Sequence, residues 1–264
     1  MITDKELINI NKKSELNLYQ QEKEYLLKLF LYFYYKKFED AIFKGGTAIR
    51  FIYNLNRFSD DLDFNITIHP KEFQKQVKET LKEITNIGIK NKFKKQELFE
   101  KAYTCEIIFE GPLYKDTTQT RNKFRIDAGK RLKTIKNPEW KIIKSEYPET
   151  KENFINKIMN IEEILAEKII AIFTRNKGRD LYDSWFLLNL YKKINKKLIE
   201  QKLKIFDHAN NISQKLKNNT LNIKTFTKEL EYNKDLKHLT SKLIPYNQVK
   251  EDVIKKLYEA KILN

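Results

Sequence analysis

The chain has 264 residues, 41% hydrophobic and 33% charged, a composition that builds a core and excludes a disordered or fibrous protein. Its formal net charge of +16 favours polyanionic partners such as nucleic acid. Lysine so outnumbers arginine, however, with asparagine and isoleucine abundant, that an AT-rich genome accounts for the charge equally well.

Cys105 is the single cysteine, which excludes an intrachain disulfide and a thiolate metal cluster. The polar start, Met1-Ile2-Thr3-Asp4-Lys5-Glu6, has no signal-peptide character, and both features predict a cytoplasmic protein. The first predicted element is a helix over about 14 to 38 with Ser14 as its N-cap. Its run from Leu26 to Tyr35 is apolar on all sides and carries Lys28. It is about half the length of a membrane span, so its aromatic residues predict a buried helix. Ala41 to Lys44 reads as a short strand, ended by Gly45-Gly46, with a helix over Thr47 to Tyr53. Asp61 to Thr67 alternates like a strand, and Pro70 opens a helix over about 71 to 85. Tyr103 to Phe109, Lys123 to Ala128 and, more weakly, Lys141 to Ser145 are further strands. From Asn160 onward the pattern is almost wholly helical. The chain thus divides near residue 150, into a mixed α/β front half and a helical back half.

The chemistry concentrates at Lys44-Gly45-Gly46-Thr47-Ala48-Ile49-Arg50 and at Arg57-Phe58-Ser59-Asp60-Asp61-Leu62-Asp63-Phe64. Side chains alternate along a strand, so Asp61 and Asp63 share one face while Leu62 and Phe64 pack on the other. Two neighbouring carboxylates repel unless a cation joins them, and magnesium suits oxygen ligands beside a nucleoside triphosphate. The glycine pair lets backbone approach a ligand and presents helix N-terminal N–H groups to phosphate. Ser59 precedes the acidic pair and either bonds phosphate or caps a turn.

These two stretches resemble the first motif of the AbiEii/AbiGii nucleotidyltransferase toxins, within the DNA polymerase β-like nucleotidyltransferase superfamily. Asp60 occupies a position that varies in that pattern and is not counted as a ligand. The resemblance implies an α+β fold. A nucleotidyltransferase domain with a mixed sheet and flanking helices (1–150) would be followed by a C-terminal helical bundle (151–264) that completes the nucleotide-binding cleft. It also implies a third carboxylate on a neighbouring strand, for which Asp127 in Phe124-Arg125-Ile126-Asp127 is the candidate. From Lys115 to Lys144 ten Lys/Arg stand against three Asp/Glu, so Asp127 is either a metal ligand or base, or a salt-bridge partner. The basic patch itself suits an RNA backbone.

The second segment runs from Ile161 to Arg175 and on through Gly178-Arg179-Asp180-Leu181-Tyr182-Asp183-Ser184-Trp185. At about 100° per residue, Lys168 and Arg175 fall in the middle of the apolar stripe set by Ile161, Ile164, Leu165, Ile169 and Ile172. An unpaired buried ammonium is costly, so this stripe predicts a cleft holding anionic groups, the triphosphate or the acidic metal cluster, unless Lys168 snorkels out along its stem. Asp180 is either a helix-start residue or a catalytic one, and Asp183 is placed to pair with Arg179 at i,i+4. The segment resembles the family's later motifs. By that resemblance Lys168 contacts nucleotide phosphate, and Asp180 positions or deprotonates the acceptor.

The expectation is nucleotidyl transfer. Asp61 and Asp63 hold magnesium or manganese, with Asp127 as the third carboxylate. Gly45, Gly46, Ser59, Lys168 and Arg175 hold the triphosphate. The resemblance implies RNA, at the tRNA 3′ end, as the acceptor and an antitoxin protein as partner. Two alternatives stay open: a small hydroxyl acceptor, as in antibiotic nucleotidyltransferases, and a catalytically silent RNA- or protein-binding module. His69, His208 and His238 show no metal-ligand spacing.

Overall fold

The computed structural model describes residues 1–130, 134–150, 153–191, 193–206 and 228–263; Arg131 and His208 lie outside them. By its contacts the chain forms two compact units.

The first unit comprises Met1–Asn54, Phe58–Thr134 and Pro138–Met159. It opens with α1 (Asp4–Asn11), closed by a reciprocal cap between Thr3 and Glu6. The long aromatic helix α2 spans Leu18–Tyr35 and starts later than the sequence suggests. Asn17 accepts from the Gln20 N–H at 2.9 Å, and the Gln20 side chain accepts from the Asn17 N–H at 3.2 Å. Ser14 instead accepts from the Leu16 N–H within a turn. The remaining elements are β1 (Ala41–Lys44), α3 (Gly45–Tyr53), β2 (Asp61–Ile66), α4 (Pro70–Asn86), β3 (Lys90–Leu98), β4 (Ala102–Glu110), β5 (Asn122–Gly129), β6 (Glu139–Lys144) and β7 (Asn153–Ile158). The sequence pattern does not announce α1, β3 or β7. β3 contains a single aromatic residue among its lysines and is a sheet edge, where charge blunts pairing with other chains.

The seven strands form one mixed sheet in the order β3-β4-β5-β2-β1-β7-β6. β2 lies in its centre, antiparallel to β1 and parallel to β5. Helices α2 and α4 pack on the sheet. The core between them is aromatic: Phe30 meets Phe124 edge-on, Tyr34 meets Phe64 and Phe73, and Phe64 meets Phe43. Phe30 and Tyr34 are fully buried, which is the use the sequence suggested for this helix. α3 packs beside α2 through charge, Arg50 on Glu24 at 2.8 Å, and Lys28 over the Phe51 ring.

The second unit comprises Leu55–Arg57, Ile135–Asn137 and Asn160–Asn264. Its described helices are α5 (Ile161–Thr174), α6 (Gly178–Tyr191), α7 (Lys196–Phe206), α8 (Glu229–Leu236) and α9 (Tyr246–Glu259). α5 packs on α6 and α7, and α6 packs on α8 and α9. The short segment at 135–137 is tied in by charge. The N–H groups of Ile135 and Lys136 each donate to the buried Glu163 carboxylate at 3.0 Å, and Lys202 lies 2.5 Å from the same carboxylate. No helix among the described residues is long and apolar enough to cross a membrane.

At Gly178, the first residue of α6, a Cβ would overlap the backbone of Tyr232 in α8. Backbone yields less readily than a side-chain tip. Gly178→Ala is therefore expected to destabilise the second unit by about 1–3 kcal/mol, read as a lowered melting temperature by circular dichroism.

Candidate active site

The acidic pair is set by β2. Leu62 and Phe64 are buried on the helix-covered face, which turns Asp61 and Asp63 to the other. The register then decides what lies beside them. Asp63 stands opposite Lys44 on β1 and opposite Asp127 on β5, and Asp61 stands opposite Arg125. Partners in register share a face, so three carboxylates and two cations meet on one side of the sheet. The Arg125 Nη2 donates to Asp127 Oδ1 at 2.8 Å. Burial works against the Arg125 charge, but Asp127, Asp61 and Asp63 outweigh it and hold the guanidinium above its ordinary range. Asp127 thus lies beside the acidic pair and in a salt bridge with Arg125.

Asp60 pairs with Lys23 of α2 at 3.0 Å. Gly45 begins α3 with φ +78°, the left-handed region, and a Cβ there would overlap the Asp63 carboxylate. The N-cap residue of α3, Lys44, makes no side-chain capping hydrogen bond, and the first turn is Gly45-Gly46-Thr47. The Thr47 hydroxyl lies 2.9 Å from Ser59 Oγ and 2.5 Å from the Asp61 carbonyl, which ties this turn to the start of β2.

Among the described residues no group of three or more His, Cys, Asp and Glu side chains converges as a ready metal cluster. The donor set nevertheless fits a hard divalent cation. Asp61 and Asp63 offer oxygen ligands on one face of a central strand, and Gly45 leaves the space that the Asp63 carboxylate fills.

The second unit holds a chain of alternating charges. Lys168 of α5, 9% exposed, lies 2.9 Å from Asp180 Oδ1 and 2.7 Å from Asp183 Oδ2. Arg175 Nη2 lies 3.0 Å from Asp180 Oδ2. The anion shared by Lys168 and Arg175 is therefore Asp180, supplied by the chain itself. Arg175 does not sit on the helical stripe. α5 ends at Thr174, and Arg175 is its extended C-cap with a side chain 60% exposed. Asp183 is fully buried and pairs not with Arg179 but with Arg57 of the first motif. Arg179 is exposed. Burial would raise the Asp183 carboxyl, but Arg57 and Lys168 reverse this and hold it at about 2. Burial likewise opposes the Lys168 charge, while Asp183 and Asp180 hold it above its usual range.

His69 caps α4, its Nδ1 accepting from the Lys71 N–H. Lys44 and Arg125 are the neighbours of the acidic pair that the sequence did not single out as site residues. Strand alternation placed Arg125 beside Asp127, but only the register sets Lys44 against Asp63.

This sheet with its flanking helices is the fold of solved nucleotidyltransferases. The chain superposes on MenT4, a nucleotidyltransferase toxin from Mycobacterium tuberculosis H37Rv, with a TM-score of 0.67 at 16% identity, over 99% of this chain and 90% of that one. It superposes on JHP933 from Helicobacter pylori with a TM-score of 0.60 at 19% identity, over 94% of each chain. No curated protein matches the sequence. The sequence does match the family described as nucleotidyl transferase AbiEii toxin, type IV TA system, over residues 32–255, and the chain belongs to that family. Membership makes it a nucleotidyltransferase and the toxin of a type IV toxin–antitoxin system, with a nucleoside triphosphate as substrate and an antitoxin as counterpart.

Two outcomes follow from the geometry. Gly45→Ala is expected to displace the Asp63 carboxylate and to cost about 1–2 kcal/mol in backbone strain. Transferase activity should fall much further than the melting temperature, the two being measured on one preparation. Asp183 has a folded pKa below its unfolded one. The stability it adds is thus complete above about pH 4 and is lost as the pH falls toward about 2. Thermal melting from pH 5 to pH 2 should show this loss, with a smaller acid slope in Asp183→Asn.

Proposed function

We propose that this toxin transfers a nucleoside monophosphate from a nucleoside triphosphate to an RNA hydroxyl, at the 3′ end of tRNA. The observation that carries the reading is the register of β2, which sets Asp61, Asp63 and Asp127 on one face beside the Gly45-Gly46 turn. A magnesium or manganese ion held by Asp61 and Asp63 would supply charge neutralisation at the transferring phosphoryl group. Gly45 and Gly46 at the start of α3 offer backbone N–H groups to the phosphates, and the Thr47–Ser59 contact holds that turn in place. Lys168 contributes a buried ammonium, and Arg175 an exposed guanidinium, to the triphosphate. Both oxygens of Asp180 lie among these two cations, an arrangement that favours positioning over proton abstraction. Catalysis in this reading comes from positioning and charge, with an acceptor oxygen attacking the α-phosphorus and pyrophosphate leaving. The net charge of +16 favours a polyanionic acceptor, and RNA in particular over a small hydroxyl compound. A part for the back half in nucleotide binding belongs to this proposal, as does action in the cytoplasm.

Purified protein incubated with total tRNA, magnesium and each α-³²P-labelled nucleoside triphosphate in turn should label RNA on a denaturing gel. Asp63→Ala should abolish the label while the melting temperature holds. Label on an aminoglycoside panel and none on tRNA would overturn the choice of acceptor.

A further inference from the structure

Arg57 lies in the first motif, four residues before Asp61, yet its side chain serves the second unit. It is 2% exposed. Its Nε lies 2.6 Å from Asp183 Oδ1 and its Nη2 lies 2.7 Å from Asp183 Oδ2, a fork that engages both carboxylate oxygens. The contact belongs to the second unit, into which the chain crosses for Leu55–Arg57 before it returns at Phe58.

A carboxylate on a single methylene rotates unless both oxygens are held. Arg57 holds both, so Asp183 Oδ2 meets Lys168 from a fixed direction, at 2.7 Å. Asp180 Oδ1 meets the same ammonium at 2.9 Å. Asp180 and Asp183 stand three residues apart on one face of α6, so the two acceptors form a rigid seat. An ammonium has three donors. Two directed at the seat leave the third with a set direction.

The charges along this chain run Arg57, Asp183, Lys168, Asp180, Arg175, three positive and two negative. Without Arg57, Lys168 alone would compensate the fully buried Asp183, and the ammonium would be drawn toward it. A lysine at position 57 would keep the charge but lose the planar fork.

We propose that Arg57 is a positioning residue for nucleotidyl transfer, which orients the Lys168 ammonium toward the triphosphate by locking both oxygens of Asp183. The inference rests on the reading that Lys168 contacts the nucleotide.

The test measures Arg57→Lys, Asp183→Asn, Lys168→Met and the double variant Arg57→Lys/Lys168→Met. Equilibrium binding uses the α,β-methylene analogues of ATP, CTP, GTP and UTP, which are not cleaved at the α-phosphorus. Steady-state kcat and KM are taken with the nucleotide that labels, and each variant is melted. Arg57→Lys should bind the analogue ~10-fold more weakly and lose kcat by ~30-fold, a misplacement effect on the pattern of remote positioning residues. Asp183→Asn should show the same direction of change. The double variant should lose no more than Lys168→Met alone, because two residues acting through one ammonium are not additive. A residue that merely supports the fold would lower kcat in proportion to the folded fraction, leave KM unchanged and add its loss to that of Lys168→Met; that result would overturn the inference. Wild type that binds no analogue, or Lys168→Met that binds as wild type does, defeats instead the reading that puts Lys168 at the nucleotide. Wild-type affinity in both Arg57→Lys and Asp183→Asn, with Lys168→Met impaired, defeats the role of Arg57 alone.

Discussion

The alternation of β2 governs the first unit. Phe64 cannot leave the aromatic core it forms with Phe43, Tyr34 and Phe73, nor Leu62 its buried place, without exposing large apolar surface. With those two residues inside, Asp61 and Asp63 have one face left to occupy. A slip of one residue would bury both carboxylates and expose both hydrophobic side chains, so packing energy that has nothing to do with chemistry enforces the position of the acidic pair. The central place of β2 in the sheet means that its neighbours on both sides then fall into register with the pair.

Charge is handled in two ways. At the acidic face the charges are half-exposed, with Arg125 shared among three carboxylates and Lys44 opposite Asp63. In the second unit it is buried and directional, with Arg57, Lys168 and Asp183 each desolvated and each engaged. Buried ion pairs rarely add much net stability over apolar packing, whereas breaking one leaves an uncompensated charge that costs about 3–5 kcal/mol. An arrangement of this kind is better explained by the geometry it imposes on Lys168 than by the stability it adds. The Glu163–Lys202 pair is comparable in burial, but there the carboxylate also accepts two backbone N–H groups, which suits a structural anchor.

Much of the acidic half of the site was legible in the residues. The order of strand, glycine pair, helix and acidic strand emerged because each step has a local cause: glycine frees the backbone at Gly45, and alternation sorts Asp61 and Asp63 from Leu62 and Phe64. The elements that escaped had no local cause of that kind. β3 is held by its antiparallel partner β4 and not by its own lysine-rich pattern, and β7 pairs with β1 across more than a hundred residues. The helix wheel put Lys168 correctly in a buried stripe but carried Arg175 past the true end of α5, since nothing in the periodicity announces where a helix stops.

The sequence by itself determined the chemistry available: two carboxylates two residues apart, a glycine pair before a helix, and a buried lysine that needed an anion. These depend on periods of two and 3.6 residues, which are properties of a local stretch of chain. Only the tertiary structure decided the partners. That Asp127 lies across from Asp63, that the anion for Lys168 is Asp180 together with Asp183, and that Asp183 pairs with Arg57 across 126 positions and not with the nearby Arg179 are matters of strand register and helix packing. Sequence spacing bears on these choices only weakly, because a buried charge takes the partner whose geometry best replaces the water it lost.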